Sequence, residues 1–313
     1  MSEITIVTGF FDIGRGDLVG ELSQYTRSND KYFNYFARWA RLKNRLVVYT
    51  ERTFVERIIQ IRRNYGLENN TTVIPIDNIF AVEDDIYSRM KLVEKKSSFR
   101  ELRYYREAME NGADYNYIML MKYWMMKDAQ ERGLLSEITA WIDFGFDHGG
   151  TKYVDEKDWN FLWKYDFEDK IHLFSLCNPE EINAWESLQL FPEVIMGAPL
   201  TLSTVRVARL YALVRKAMES LLMLEAYDDD QQLLLMAYKW APEDFIIHIS
   251  DWFLPIKEFG GSHMKVRKVE HFQPGIKKRL RRWLSVHGGG LIMRTERKKY
   301  AQRMYELAGR YYE

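Results

Sequence analysis

Cysteine is almost missing from this sequence: Cys177 is the only one in 313 residues. A single thiol closes no internal disulfide and offers no paired metal-ligand spacing, so a disulfide scaffold or a cysteine-based zinc module is not expected, and the chain suits a reducing compartment. Long apolar runs are lacking too. Residues 117–126 come nearest, but Lys122 interrupts them, and they fall far short of the roughly 20 apolar residues that span a bilayer. The first residues carry Glu3 and pass directly into Ile4-Thr5-Ile6-Val7, without the basic start and small-residue cleavage site of a secretory leader. An unsecreted, cytoplasmic protein is expected, with any membrane contact peripheral and on the inner face of the cytoplasmic membrane. Net charge of one sign is also lacking, because 45 Lys and Arg balance 45 Asp and Glu. The balance hides an asymmetry: residues 265–313 hold fourteen Lys or Arg against four Glu, which leaves everything before them net acidic.

What is present is a globular composition, 47% apolar and 29% charged, long enough for one large domain or two small ones. Residues 4–8, 45–50 and 71–76 are short β-branched runs flanked by turn formers, and residues 31–43 and 54–65 between them carry apolar positions at helical spacing. Strand and helix alternate, which predicts an α/β fold with a mostly parallel, Rossmann-like sheet flanked by helices and a ligand at the carboxyl ends of its strands. Further on, residues 82–110, 115–132, 203–224 and 229–240 read as helices. Residues 138–144, 171–176, 194–196, 245–249 and 265–272 read as strands. The domain division is expected at 1–258 and 259–313, the second part being a basic helical appendage.

Four segments carry groups suited to chemistry. Thr8-Gly9-Phe10-Phe11-Asp12-Ile13-Gly14-Arg15 follows the first strand. Its glycine permits close backbone approach, its Phe can stack on a base, Asp12 can bond base or ribose, and Arg15 can grip a diphosphate. An ordinary strand-to-loop turn with a surface arginine is the competing reading. Lys122 sits in an otherwise apolar helix, where a lysine either snorkels to solvent or meets an anion. Trp141-Ile142-Asp143-Phe144-Gly145-Phe146-Asp147-His148-Gly149-Gly150 puts carboxylates at the end of a buried strand, where hard oxygen ligands favour Mg²⁺ or Mn²⁺, although Asp143 also suits a cap or turn. Asp228-Asp229-Asp230-Gln231 opens a helix. Capping explains one or two of these carboxylates, and another can serve as a general base toward an acceptor hydroxyl, with Gln231 holding a sugar.

In order, the motifs at residues 7–15, Met119 to Lys122 (M-x-x-K), Trp141 to Gly145 (W-I-D-F-G), Met196-Gly197-Ala198 and Asp229-Asp230-Gln231 resemble those of the bacterial HtrL/YibB family, within the GT-A glycosyltransferases. The resemblance covers about residues 4 to 250. It implies a nucleotide-sugar donor, a UDP-sugar favoured, and a hydroxyl acceptor on a surface glycan or lipid-linked glycan of the lipopolysaccharide or O-antigen kind. Residue by residue it implies donor contacts from Thr8, Gly9, Phe10, Asp12, Arg15, Lys122, Asp143, Phe144 and Gly145, acceptor contacts from Gly197 and Gln231, and catalysis by Asp230 or Asp229. One position departs from the pattern: Gly145 stands where the second carboxylate of Asp-x-Asp is usual. The expected Mn²⁺ or Mg²⁺ would then rest on Asp143, Asp147 and His271, with His263 as competitor for the last place; the other reading is a weak need for metal, with Arg15 and Lys122 neutralising the leaving group. That gap also motivates an alternative, a non-catalytic carbohydrate-binding or scaffold protein of an envelope pathway.

The basic segment 275–284 places Ile276, Leu280, Trp283 and Leu284 on one helical face and Lys277, Lys278, Arg279, Arg281 and Arg282 on the rest. This pattern suits an interfacial helix on an anionic membrane surface, each cation contributing roughly 1 kcal/mol; docking on the protein's own body is the plainer use. Residues 292–311 read as a second helix. Nucleic acid is not an expected partner, since no base-stacking platform accompanies the charge.

Overall fold

The computed structural model describes residues 2–17, 26–96, 112–190 and 194–267. Seven strands form one sheet: β1 (Ile4–Phe10), β2 (Leu46–Thr50), β3 (Thr71–Pro75), β4 (Ile138–Trp141), β5 (Ile171–Ser175), β6 (Leu200–Ser203) and β7 (Phe245–Ile249), in the order β3-β2-β1-β4-β6-β5-β7. β1 pairs in parallel with β2 and with β4, and β2 with β3. β6 runs antiparallel to both of its neighbours, β4 and β5, and β5 is parallel to β7. The architecture is the expected α/β, mostly parallel sheet with flanking helices. β2, β4 and β5 are buried along their whole length and β1 along nearly all of it, as a sheet covered on both faces requires, so these strands read as apolar runs and not as alternating patterns.

Eight α-helices accompany the sheet among the described residues: α1 (Asn29–Trp39), α2 (Val55–Arg63), α3 (Asp84–Glu94), α4 (Ala113–Glu131), α5 (Ala184–Leu190), α6 (Val207–Met223), α7 (Asp230–Trp240) and α8 (Pro255–Glu258). The Ser28 side chain caps α1 by accepting from Lys31 N. That helix stops at Trp39, short of the expected residue 43, because the carbonyls of Ala40, Leu42 and Asn44 turn toward the buried guanidinium of Arg62, at 2.7, 2.6 and 2.9 Å. α4 packs on β1 and β4 and against α6 and α7, which brings a helix face and a helix start onto the sheet's carboxyl rim.

Further expectations differ. The strand anticipated through residue 144 ends at Trp141, since Phe146 N bonds Asp143 O at 2.9 Å and turns the chain. Residues 194–196 make only a single bridge, Ser175 to Ile195, and the strand that fills the gap between β4 and β5 is β6, whose last residue the sequence reading assigned to a helix. Residues 265–267 likewise contribute one bridge, Tyr153 to Val266. The first compact unit runs to Arg267, past the boundary expected at 258, with Met264 fully buried and Trp163 Nε1 donating to Phe259 O at 2.6 Å. His271 and the segments 275–284 and 292–311, expected to be helical, lie outside the described residues. No helix among the described residues is long and apolar enough to cross a membrane.

Candidate functional site

The chain runs from β1 outward to β2 and β3 on one side and then returns to place β4 on the other. The crevice outside the carboxyl ends of β1 and β4 is therefore a topological switch point, where open α/β sheets receive ligands. Because β6 is antiparallel, with Leu200 opposite Trp141, the residues leading into β6 reach the same rim.

Lys122 lies at the centre of this rim. Its side chain is 3% exposed, and its Nζ stands 2.8 Å from Asp143 Oδ1 and 2.5 Å from Asp230 Oδ2. Trp141 Nε1 donates to the same Asp143 Oδ1 at 2.8 Å, fixing that oxygen from the strand below. Asp229 caps α7 by accepting from Gln231 N at 3.1 Å, while Asp230 opens the helix and turns inward. Gly197 makes room for it: a Cβ there would lie 2.1 Å from Asp230 Oδ2. Burial and the neighbouring Asp230 and Asp228 hold the Asp229 carboxyl well above the usual carboxylate range. Burial also raises Asp230, with Lys122 pulling the other way. For Lys122, burial lowers the affinity for a proton, but Asp143 and Asp230 together outweigh it and keep the ammonium charged.

A second group of cations stands at the mouth. Arg15 lies over the Tyr115 ring at 4.8 Å, and Arg27 Nη1 approaches His148 Nε2 at 3.4 Å. Burial first, then Arg27, Lys31 and Arg15, push the His148 imidazole down to about 4, while Asp143 opposes them. These three cations thus share one field with Asp143. Among the described residues none of the three is paired with a carboxylate within 4.0 Å. The Asp143 side chain is 41% exposed.

A family model described as "Bacterial protein of unknown function (HtrL_YibB)" matches residues 2–260. The chain belongs to the HtrL/YibB family. It is 31% identical over 266 residues to Protein HtrL of Escherichia coli strain K12, covering 80% of this chain and 90% of that protein. Among solved structures, mouse xyloside xylosyltransferase 1 in its apo form matches with a TM-score of 0.40 at 11% identity, over 80% of this chain and 85% of that one.

In this family member the residues singled out in the sequence divide sharply. Lys122, Asp143, Asp229, Asp230, Gly197 and Gln231 gather at the rim, with Arg15 at its edge. Phe10 and Phe144 do not face it: they stack on each other at 4.8 Å, Phe144 stacks on Phe36 at 4.3 Å, and Phe33 and Phe54 close the cluster, so both rings are core. Gly9 is a packing glycine, with Met125 Sδ 2.6 Å from where its Cβ would lie. Asp12 is spent on its own loop, accepting from Gly14 N at 2.9 Å and Asn29 Nδ2 at 2.7 Å. Gly145 lies under the Tyr32 ring. Thr8 ends buried, its Oγ1 without a hydrogen-bond partner among the described residues, and the Oη of Tyr123 and Oε1 of Gln231 share that state.

Of the expected metal ligands, His271 lies outside the described residues, and Asp147 is turned to another use. Asp147 has φ 56°, which swings its carboxylate inward to accept from Lys152 N at 2.6 Å and Tyr153 N at 3.2 Å, and burial pushes its pKa up to about 6. His263 is held at Asp158 O, 3.0 Å away. No group of three or more His, Cys, Asp or Glu suited to a metal ion occurs among the described residues. Sequence reasoning missed Arg27, Lys31 and Tyr115, and it placed Trp141 in the segment without giving its side chain a role. Tyr115 was within reach, being two helical turns before Lys122 on one face. Arg27 and Lys31 carry no signal beyond being charged.

Proposed function

We propose that this protein transfers a sugar from a nucleoside diphosphate sugar, a UDP-sugar favoured, to a hydroxyl of a bacterial surface glycan or lipid-linked glycan. The observation that carries the reading is the trio Arg15, Arg27 and Lys31, without carboxylate partners among the described residues, at the switch-point crevice beside the half-exposed Asp143. Cations that the protein does not itself neutralise favour an anionic ligand, and guanidinium groups match the oxygens of a diphosphate.

In this reading the diphosphate lies against Arg15, Arg27 and Lys31, which stabilise the charge that grows on it as the glycosidic bond breaks. The outer oxygen of Asp143 accepts from a ribose hydroxyl. The acceptor approaches the start of α7, where Asp230 or Asp229 takes the proton of the attacking hydroxyl; their raised affinity for a proton brings them nearer the range a general base needs. The unspent Gln231 Oε1 accepts from a sugar hydroxyl.

Calorimetry with UDP, GDP, CMP and a panel of UDP-sugars tests this. Saturable binding of one nucleotide, weakened by Arg15→Ala and by Arg27→Ala, is expected. Binding of glycans with no nucleotide bound under any condition would overturn it in favour of a carbohydrate-binding scaffold.

A further inference from the structure

We propose that the Lys122 ammonium is the built-in cation of the donor site, so that a nucleoside diphosphate binds there without a divalent metal. This rests on the donor-site reading above and adds to it what balances the charge. The ammonium bridges Asp143 Oδ1 and Asp230 Oδ2 at 2.8 and 2.5 Å, the position between two carboxylates that a metal ion would otherwise take. It is carried on α4, a helix of 19 residues packed on the sheet, so it is fixed in place and not delivered by a loop. A lysine has three N–H donors. Two are spent on the carboxylates, and the third has no acceptor among the described residues.

The carboxylates that would recruit a metal are committed elsewhere. Asp143 Oδ1 already serves Lys122 and Trp141, and Asp147 serves the amides of Lys152 and Tyr153. Gly145 brings no carboxylate, and the Tyr32 ring lies 3.1 Å from where its side chain would begin. A divalent ion reaching the outer oxygen of Asp143 would also meet the field of Arg15, Arg27 and Lys31, while Lys122 is already offset by Asp143 and Asp230. Hard cations take six or more oxygen ligands, and repulsion from fixed cations works against that recruitment.

Lys122→Ala reverses the situation. It vacates the position between Asp143 and Asp230 and leaves two carboxylates without their counter-ion, which a divalent cation then satisfies. UDP titrations in EDTA and in MnCl₂ are combined with thermal melts in MnCl₂ alone. For the wild type, the UDP dissociation constant should agree within about twofold between the two media, and Mn²⁺ alone should leave the melting temperature unchanged. Lys122→Ala should bind UDP at least about tenfold more weakly in EDTA, melt higher with Mn²⁺ alone, and regain UDP affinity in Mn²⁺. The double variant Lys122→Ala with Asp230→Asn should lose the response to Mn²⁺. Wild-type UDP binding that requires Mn²⁺ would overturn this inference and leave the transferase reading standing. Absence of UDP binding in both media would overturn the donor-site reading itself. If Lys122→Ala does not fold, the wild-type titrations decide alone.

Discussion

Two polar contacts, one on each half of the sheet, handle charge in opposite ways. At the crevice between β1 and β4, Lys122 remains an ammonium because Asp143 and Asp230 offset its desolvation. Between β5 and β7, His172 Nδ1 meets His248 Nε2 at 2.9 Å and His172 Nε2 meets the Glu168 carbonyl at 3.0 Å. A carbonyl only accepts, so His172 donates from Nε2. Burial favours the neutral ring in both, and in that form His172 Nδ1 accepts from His248 Nε2. Phe167, Phe174 and Phe259 pack around the pair. The histidines leave no capacity unspent at their shared contact, which marks a packing feature. The lysine cluster keeps a spare donor, and around it stand cations without carboxylates, which marks a place for something the chain does not contain. Burial alone does not separate structure from function; what remains unsatisfied after internal partners are counted does.

The most damaging single change to this contrast is Gly197→Ala. The added methyl would lie 2.1 Å from Asp230 Oδ2, with both residues buried, so Asp230 must leave Lys122 or the strand entry must move. Overpacking of this kind costs about 1–3 kcal/mol, and a misplacement near 1 Å at a site lowers turnover by about 100-fold. Nucleotide binding and acceptor-dependent release of UDP should therefore fall far more than thermal stability does. Equal losses in both would show that the cluster serves packing alone, as the histidine pair does.

The histidine pair is tested by pH. Burial, then the neighbouring His172, lowers His248 to about 4, and burial lowers His172 as well. An unfolded imidazole takes a proton from about pH 6.5 downward; folded His248 resists it until about pH 4, and folded His172 takes one less readily than the unfolded ring. The pair's contribution is fully present above pH 6.5, and the unfolded state gains it as an advantage while the pH falls toward 4. With His248 half-exposed and screened, the loss is about 1 kcal/mol, a few degrees in the melting temperature. His248→Gln keeps a donor toward His172 without titrating and should flatten that slope, leaving nucleotide binding unchanged. An unchanged slope would place the acid sensitivity elsewhere.

Much of this layout was legible in the sequence. β1, β2 and β3 announce themselves as β-branched runs, and Lys122 stands out as a charge on an apolar helix face, although the sequence left snorkelling to solvent open beside pairing with an anion. Asp143 and the triplet at 228–230 were found by their positions at a strand end and a helix start. Direction was not legible. Phe10 ends β1 and Phe144 follows β4, at the positions ligand-stacking rings would take, yet both turn into the core, and residue spacing alone does not say which way a ring at a strand end points. β6 is four residues long, too short to show a period before α6 begins. Arg27 and Lys31 gain meaning only from what lies beside them, and the burial of Arg62 depends on three carbonyls brought together by folding.

Asp147 illustrates the same limit and carries the smallest predicted effect. The glycines after it signal a tight loop, but the sequence does not reveal that φ at Asp147 is 56° and at His148 is 43°, which aims the carboxylate at the amides of Lys152 and Tyr153 and away from Asp143. Asparagine tolerates a left-handed backbone nearly as well as aspartate, and its oxygen can still accept from one or both amides. Asp147→Asn should therefore cost about 1 kcal/mol of stability through a weaker, uncharged acceptor. It should leave nucleotide affinity within about twofold in EDTA and in Mn²⁺ alike. A selective loss of affinity in Mn²⁺ would return Asp147 to the site as a metal ligand and would blur the distinction between a carboxylate that holds a loop and one that faces a ligand.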